Sequence, residues 1–290
     1  MPLRINIDGR ILSESRARVP VLDRGFLYGD SVYEVLRTYG GRLFAETSHL
    51  RRLERSAAGL ALDLPPRARL RREIRRTMAA AAEAESYVRV IVTRGVGPIT
   101  LDPTSARKPC TVIVAKAFEP FPDAAYRRGL RVHIPGIRRN AREALDPSIK
   151  SGNYLNSVLA LGAARRAGCD DALLLDGRGR ITEATSANVF VVLRGTLCTP
   201  PLDAGILEGV TRGLLLRLAA ADGMRCAERH LRPADLRRAD EVLLTSTLRE
   251  VMPVVRVDRA VVGDGRPGPV ARRLRELLQA YAARVRPRRP

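Results

Sequence analysis

The sequence contains no tryptophan, few other aromatic residues and almost no lysine. Phenylalanine, tyrosine and tryptophan together make up 4% of the 290 residues, and lysine occurs only at positions 108, 116 and 150. Because lysine plus arginine number 51, the other 48 basic residues are arginines. A lysine can lose its proton and act as a nucleophilic amine, which a guanidinium cannot do. The few lysines are therefore the positions to inspect for covalent chemistry.

Long apolar runs and paired cysteines are also absent. No stretch approaches the roughly 18 apolar residues of a membrane span, and the N-terminal MPLRINIDGR lacks the apolar core of a secretory signal. The cysteines, at positions 110, 169, 198 and 226, form no CxxC pair and are interpreted as reduced thiols. The histidines at 49, 133 and 230 are isolated, so we expect no metal site. We expect a soluble, cytoplasmic protein without membrane partners.

The formal net charge of +20 suggests nucleic-acid binding as a non-enzymatic hypothesis. Against it, the arginines are scattered along the whole chain. The densest run, RARLRREIRRTM at 67–78, fits the exposed face of an amphipathic helix. No zinc-finger, homeodomain or RNA-binding signature occurs. The sequence therefore disfavours specific nucleic-acid binding.

The order of helical and strand-like segments predicts an α+β protein of two lobes. Residues 1–118 are predicted to form a smaller N-terminal α/β domain that opens with a hairpin around Asp8-Gly9. Residues 119–126 (EPFPDAAY) contain two prolines and no periodicity, so they are the predicted interdomain linker. Residues 127–290 are predicted to form a larger, strand-rich C-terminal domain.

Lys150 lies in the segment LDPSIKSGNYLNSVLA (145–160), between a predicted strand and a predicted helix. An amine in such a short polar stretch is well placed to form a Schiff base. On position alone, the simpler interpretation is an ordinary surface lysine, as for Lys108 and Lys116. The remaining motifs of the chain favour the covalent role.

Seven motifs, in order along nearly the whole chain, resemble the class IV family of pyridoxal-phosphate aminotransferases, the branched-chain and D-amino-acid type. They are DRGFLYGDSVYEVLRTY (23–39), HLRRLERSA (49–57), SYVRVIVTRG (86–95), IKSGNYLNSVLA (149–160), ITEATSANVFVV (181–192), TPPLDAGILEGVTR (199–212) and LTSTLREVMPVVRVD (244–258). The resemblance implies the two-lobed D-amino-acid-aminotransferase-like fold and pyridoxal 5′-phosphate as cofactor. It also implies a homodimer whose active sites lie between the lobes and are shared by the subunits.

The resemblance assigns the cofactor contacts residue by residue. Lys150 forms the Schiff base and carries the proton between the substrate's Cα and C4′ of the cofactor. Glu183 keeps the pyridine nitrogen protonated, and Arg52 binds the phosphate. Arg51 is the expected surface residue, because neighbours on a helix point about 100° apart. The other implied contacts are Leu207 on the ring face, Val210 and Thr211 at a helix N-terminus facing the phosphate, Thr247 on the phosphate or a carboxylate, and Tyr154 on the phenolic oxygen.

The substrate residues implied by the resemblance favour an apolar amino acid. Tyr28, Tyr33 and Tyr87 would line a pocket for its side chain, and Arg89 would bind the second carboxylate of glutamate. Glu34 also matches the transaminases, because the lyases of the family usually carry threonine there.

The D-amino-acid enzymes bind the α-carboxylate through an Arg-x-His, which is missing here because Ile99 and Leu101 occupy its places. Two departures still leave the substrate open. The turn KSGN is closer to the D-amino-acid spacing, and Leu248 and Arg249 stand where branched-chain enzymes place small residues. Arg249 either binds a carboxylate itself or narrows the pocket.

The predicted function is ping-pong transamination between an L-branched-chain or other apolar amino acid and a 2-oxo acid such as 2-oxoglutarate. D-amino-acid or (R)-amine transamination is the first alternative, and aminodeoxychorismate lyase activity is the second.

Overall fold

The computed structural model describes residues 3–106 and 108–284, which divide into two compact units. Unit 1 contains the described residues up to 119 together with 149–153, and unit 2 contains 120–148 and 154–284. The first division lies next to the predicted boundary at 118. The segment 149–153 differs from the prediction, because it groups with unit 1 and not with the C-terminal domain. The last residues of the predicted C-terminal domain, 285–290, lie outside the described residues.

Unit 1 is an antiparallel sheet with two long helices packed on it. Its strands are β1 (Arg4–Ile7), β2 (Arg10–Ser13), β3 (Ser31–Tyr39), β4 (Arg42–Leu43), β5 (Ser86–Thr93) and β6 (Cys110–Ala117). Its helices are α1 (Arg24–Tyr28), α2 (Glu46–Gly59) and α3 (Arg67–Ala81). The strand order is β2-β1-β6-β5-β3-β4, with α2 packed on β3 and α3 on β6.

Local chemistry explains the elements of unit 1. The predicted hairpin forms because Asp8 and Gly9 both adopt positive φ, at +50° and +93°, which a tight two-residue turn requires. Along β3, Val32 and Leu36 are fully buried in the core that also contains residues of α2 and α3. Since successive side chains leave a strand on opposite faces, Tyr33 points away from this core.

The segment 149–153 joins unit 1 through backbone hydrogen bonds to β3. Ser151 forms an antiparallel bridge with Val32, and the amide of Tyr33 donates to the carbonyl oxygen of Lys150 at 3.0 Å. Gly152 is required at this point, because a Cβ there would lie 2.4 Å from Oγ of Ser31. Lys150 is thus fixed beside β3.

Unit 2 is built on a mixed sheet. Its strands are β7 (Leu130–His133), β8 (Asp171–Leu175), β9 (Ile181–Ala184), β10 (Asn188–Leu193), β11 (Thr196–Thr199), β12 (Arg225–Glu228), β13 (Glu241–Ser246), β14 (Glu250–Val257) and β15 (Ala260–Val261). Its helices are α4 (Asp123–Arg128), α5 (Leu155–Arg166), α6 (Val210–Ala221), α7 (Pro233–Leu236) and α8 (Pro269–Arg284). The strand order is β12-β11-β10-β13-β14-β7-β8-β9, and β15 pairs with β14. The pairs β11–β12, β14–β7 and β7–β8 are parallel.

Two structural features bear on the predicted linker and the predicted fold class. The predicted linker is partly helical, because α4 begins at Asp123, directly after the second proline of the segment. Mixed strands and helices in both units agree with the predicted α+β class.

Two kinds of feature are absent from the described residues. No helix there has the length and apolar character needed to cross a membrane. No group of three or more His, Cys, Asp or Glu side chains in that part of the chain is arranged to hold a metal ion.

Candidate active site

Lys150 is half-buried in unit 1, with its amine against the side chain of Tyr33. Its Nζ donates to the hydroxyl oxygen of Tyr33 at 3.3 Å and lies 4.4 Å from the centre of the ring. Its backbone amide donates to Oγ of Ser56 at 3.0 Å. Lys108 and Lys116, by contrast, are exposed. The surroundings of Lys150 are therefore not those of an ordinary surface lysine.

Arg89 lies on the same face of the sheet as Tyr33. Its guanidinium carbon is 4.2 Å from the centre of the Tyr33 ring, a cation–π contact. Its Nε is buried and has no hydrogen-bond partner among the described residues. A buried donor without a partner is costly, and a bound anion would satisfy it. Tyr33, Arg89 and Lys150 thus form a polar and aromatic cluster.

The other two predicted substrate-pocket tyrosines, Tyr28 and Tyr87, lie on different elements of unit 1. Tyr87 shares the face of Arg89, but it lies further along β5, where it pairs with Arg37. Tyr28 ends α1, and the next residue, Gly29, is so close to Asn153 that a Cβ would lie 2.6 Å from Oδ1 of that asparagine. Tyr28 is therefore near the turn that follows Lys150, whereas Tyr87 lies two residues before Arg89 on β5.

Arg52 forms a buried ion pair with Glu34 on the opposite face of β3. Nε and Nη2 of Arg52 donate to the two carboxylate oxygens of Glu34 at 2.6 and 2.8 Å, and Nδ1 of His49 lies 2.8 Å from Oε2 of Glu34. Glu34 and His49 are fully buried, and Arg52 is 5% exposed. Arg51 is exposed, as the helical geometry predicted. Glu34 therefore orients the guanidinium of Arg52.

The protonation of this cluster follows from burial and from neighbouring charges. Burial alone would raise the pKa of Glu34, but the charge and hydrogen bonds of Arg52, together with the contact with His49, outweigh burial and hold that pKa well below its usual range. Burial lowers the pKa of His49, the Glu34 carboxylate offsets this only in part, and the Lys150 ammonium lowers that pKa further. His49 is therefore neutral near pH 7. Because an ionised carboxylate only accepts, Nδ1 of His49 carries the proton and donates it.

In unit 2, the carboxylate of Glu183 is held by several donors. Nε and Nη2 of Arg139 lie 3.1 and 3.0 Å from Oε1. The other oxygen accepts from Nδ2 of Asn188 at 3.3 Å and from the amide of Leu207 at 3.1 Å. These contacts fix the position of the carboxylate.

Arg139 also connects Glu183 with the start of α5. Its Nη1 donates to Oδ1 of Asn156 at 3.3 Å, and Tyr154, the N-cap of α5, is two residues away from that asparagine. Arg139 carries no signal in the sequence, because it is one arginine among 48. Asn188 was also missed, although it lies within the motif that contains Glu183.

The N-terminus of α6 packs against the same asparagine. Nδ2 of Asn188 donates to the carbonyl oxygen of Leu207 at 2.9 Å, and a Cβ on Gly209 would lie 1.9 Å from Oδ1 of Asn188. Thr211, in the first turn of α6, is buried. The first amides of a helix lack intrahelical acceptors and carry a partial positive charge. The structure therefore brings together four of the predicted cofactor contacts: Glu183, Leu207, Val210 and Thr211.

Strand β13 ends beside this cluster, because Thr245 pairs with Asn188. Oγ1 of Thr245 is buried and lacks a hydrogen-bond partner in the described part of the chain. Thr247 and Leu248 follow in the half-buried turn to β14. Arg249, the last residue of this turn, donates from Nη1 to the carboxylate of Asp171. A helix N-terminus beside an unsatisfied hydroxyl suits a bound anion.

We expect Glu34→Gln to lower the free energy of unfolding by about 3–5 kcal/mol, because the Arg52 cation would remain buried without its counter-ion. A carboxyl with a depressed folded pKa stabilises above its unfolded pKa of about 4.3, and this contribution is lost as the pH falls below it. The wild-type protein should therefore lose more stability than the variant between about pH 5 and 3. Urea unfolding at several pH values measures both effects. The matched control is the exposed Glu14→Gln, and equal behaviour of the two variants would contradict the assignment.

We expect Gly209→Ala to destabilise the protein by about 1–3 kcal/mol, because the new methyl group overlaps Asn188. Gly213→Ala, in the same helix, is the control, since its Cβ would meet no atom closer than 3.9 Å. Removing that glycine should stabilise the helix by about 0.5–1 kcal/mol. Thermal unfolding should show a lower melting temperature for Gly209→Ala and a higher one for Gly213→Ala. Melting temperatures that shift in the same direction would count against the close packing at Gly209.

Comparisons with known proteins identify the family of the chain. Residues 31–257 match the family described as amino-transferase class IV. The chain is 38% identical over 275 residues to a Methanocaldococcus jannaschii protein provisionally named branched-chain-amino-acid aminotransferase, with 94% of each chain covered. It is 31% identical over 278 residues to the D-alanine aminotransferase of Bacillus licheniformis, with 96% of each chain covered.

Solved structures that superpose on this chain are aminotransferases as well. The Escherichia coli branched-chain amino acid aminotransferase superposes with a TM-score of 0.91 at 29% identity, covering 96% of this chain and 93% of that chain. The Thermobaculum terrenum branched-chain amino acid aminotransferase in its PLP-bound holo-form gives a TM-score of 0.86 at 27% identity, covering 97% and 94%. The predicted fold class is confirmed. The chain therefore belongs to the class IV aminotransferases, and it is a pyridoxal-phosphate-dependent transaminase.

Proposed function

We propose that the protein transfers an amino group between an L-branched-chain or other apolar amino acid and a 2-oxo acid such as 2-oxoglutarate, in a ping-pong reaction that depends on Lys150. The observation that carries this proposal is the position of the Lys150 amine, which lies 3.3 Å from the hydroxyl of Tyr33 and 4.4 Å from the centre of a ring that the Arg89 guanidinium also contacts. An amine placed among polar and aromatic groups suits a nucleophile.

The residues of the chain fit pyridoxal phosphate. The α6 N-terminus with the unsatisfied hydroxyl of Thr245 suits a phosphate group, and the fixed carboxylate of Glu183 suits a protonated ring nitrogen. When bound, the cofactor supplies an aldehyde carbon for a covalent link to an amine and a cationic ring that accepts electrons.

In this mechanism, Nζ of Lys150 accepts the proton that leaves the substrate's Cα, and it would give that proton back at the aldehyde carbon of a bound cofactor. Tyr33 holds the amine in place through its hydroxyl. Glu183 keeps the proton on the pyridine nitrogen, and Arg139 and Asn188 hold the Glu183 carboxylate in position. The other proposed cofactor contacts are Arg52, Val210, Thr211 and Thr247 on the phosphate, Leu207 on the ring face and Tyr154 on the phenolic oxygen.

The pocket residues support an apolar amino acid as one substrate and glutamate as the other. Tyr28, Tyr33, Tyr87 and Leu248 contact the apolar side chain. Arg89 binds the distal carboxylate of glutamate, because a carboxylate would satisfy its buried Nε. Transamination of D-amino acids is the second candidate, supported by the short KSGN turn and by the similarity to D-alanine aminotransferase.

We also propose that the protein acts as a homodimer in the cytoplasm. Exposed apolar residues at helical spacing on α5 support a partner surface: Leu155, Val158 and Leu159 are 76%, 59% and 59% exposed. The cysteines are free thiols, which agrees with a reducing compartment. Light scattering of the purified protein would measure the subunit number.

We expect Lys150→Arg to abolish transamination and the visible absorbance of the bound cofactor, because a guanidinium stays protonated and does not attack an aldehyde. The control is Lys108→Arg, the same change at an exposed lysine, which should retain both properties. Thermal unfolding should show that both variants are folded. Normal turnover by Lys150→Arg would refute the role of this amine.

Half-reaction spectra of the yellow holoenzyme separate the candidate substrates. We expect L-leucine and L-glutamate to bleach the visible band at least about tenfold faster than D-alanine or (R)-1-phenylethylamine, the discrimination that a difference of about 1.4 kcal/mol in transition-state binding produces. Faster bleaching by D-alanine would instead establish the second candidate function. A holoenzyme that responds to none of the four compounds would contradict both.

A further inference from the structure

We propose that the ion pair between the buried Asp171 and the half-buried Arg249 holds the turn between β13 and β14 in place. In this view Arg249 is a positioning residue for Thr247 and Leu248 and does not bind a substrate carboxylate. The inference rests on the proposed function, since Thr247 and Leu248 are proposed cofactor and substrate contacts.

Asp171 needs a cation in the folded protein. It is 0% exposed at the first position of β8. Its Oδ1 accepts from the amide of Ala172 at 2.8 Å and from the hydroxyl of Thr185 at 2.6 Å, while Oδ2 accepts from Nη1 of Arg249. A buried carboxylate without an opposite charge nearby would destabilise the folded protein. Folding of unit 2 therefore favours the conformation in which the Arg249 guanidinium contacts Asp171.

Arg249 is held by its backbone as well as by its side chain. Its amide donates to Oγ of Ser246 at 3.3 Å, and its carbonyl oxygen accepts from the hydroxyl of Tyr126 at 3.1 Å. Its partner Asp171 starts β8, which is separated from β14 by β7 in the sheet. The ion pair therefore ties the β13–β14 turn to a strand outside its own hairpin.

The residue after Arg249 shows that this turn needs support. Glu250 adopts a left-handed φ of +54°, a conformation that is unfavourable for a residue with a side chain. Its buried carboxylate accepts from Nε of Arg275 at 3.1 Å and from Nε2 of Gln279 at 2.9 Å, both on α8. The turn is thus fixed on one side by α8 and on the other by Asp171.

Existing contacts argue against a carboxylate receptor at Arg249. Its Nη1 already donates to Asp171, and its backbone amide and carbonyl oxygen are bound to Ser246 and Tyr126. Arg89 is the better receptor, because its buried Nε has no partner among the residues described. Leu248 and Arg249 thus differ in role, with Leu248 lining the pocket and Arg249 supporting the turn.

The test compares Arg249→Met, Arg249→Lys and the double variant Asp171→Asn/Arg249→Met with the wild-type protein. Arg249→Met leaves Asp171 without a counter-ion and should lower the melting temperature of the apoprotein. The double variant removes both charges and should recover that temperature, yet its affinity for added pyridoxal phosphate should be about 10- to 100-fold weaker, because the turn is displaced. Its half-reaction rates with L-leucine and L-glutamate should fall by similar factors.

Arg249→Met should bind pyridoxal phosphate as weakly as the double variant does. Arg249→Lys keeps a cation on Asp171, so its affinity for the cofactor should be close to that of the wild-type protein. This comparison decides the question even if the double variant does not fold. Arg259→Met is the matched control, since Arg259 is an exposed arginine beyond the end of β14.

Two outcomes would overturn the inference. A double variant with wild-type cofactor affinity and wild-type rates would show that the ion pair does not hold the turn. A selective loss of the L-glutamate reaction in Arg249→Met and Arg249→Lys, with normal cofactor affinity, would make Arg249 a carboxylate receptor. If the wild-type protein itself gained neither absorbance nor thermal stability from pyridoxal phosphate, the proposed function would fail instead.

Discussion

Each unit contains a buried carboxylate that needs a cation beside it. The candidate functional residues include these carboxylates and the arginines that pair with them. A buried charge persists when an opposite charge and hydrogen bonds replace the lost water. Glu34 meets Arg52 and His49 in unit 1, and Glu183 meets Arg139 in unit 2. Each pair orients a group that the proposed mechanism uses. The side chains that satisfy the electrostatics of folding therefore also set the geometry of the candidate site.

Arginine and lysine serve different purposes in this chain. A guanidinium stays charged and binds a carboxylate through two parallel hydrogen bonds, as Arg52 does with Glu34. An ammonium can lose its proton and become a nucleophile. An arginine at position 150 would preserve the charge beside Tyr33 but not the chemistry. A sequence that uses arginine almost everywhere else keeps a lysine at the position where an amine is needed.

Elements with a local pattern were predicted well. The Asp8-Gly9 hairpin depends on two adjacent backbone conformations, and α5 depends on the helical periodicity of the segment that follows Lys150. The segment 149–153 was assigned differently, because Ser151 pairs with Val32 through backbone hydrogen bonds that leave no pattern in the sequence. The helix at Asp123 was missed because it is too short to show a period.

By itself, the sequence determined the family, and it predicted the reacting amine at Lys150 and the acid at Glu183, since these depend on residue type and on the order of motifs. Only the tertiary structure decided which partner each buried charge has. The ion pairs join residues separated by 18 positions for Arg52 and Glu34, by 44 for Arg139 and Glu183, and by 78 for Arg249 and Asp171. Pairing of this kind depends on which strands and helices lie side by side, and no periodicity along the chain encodes it.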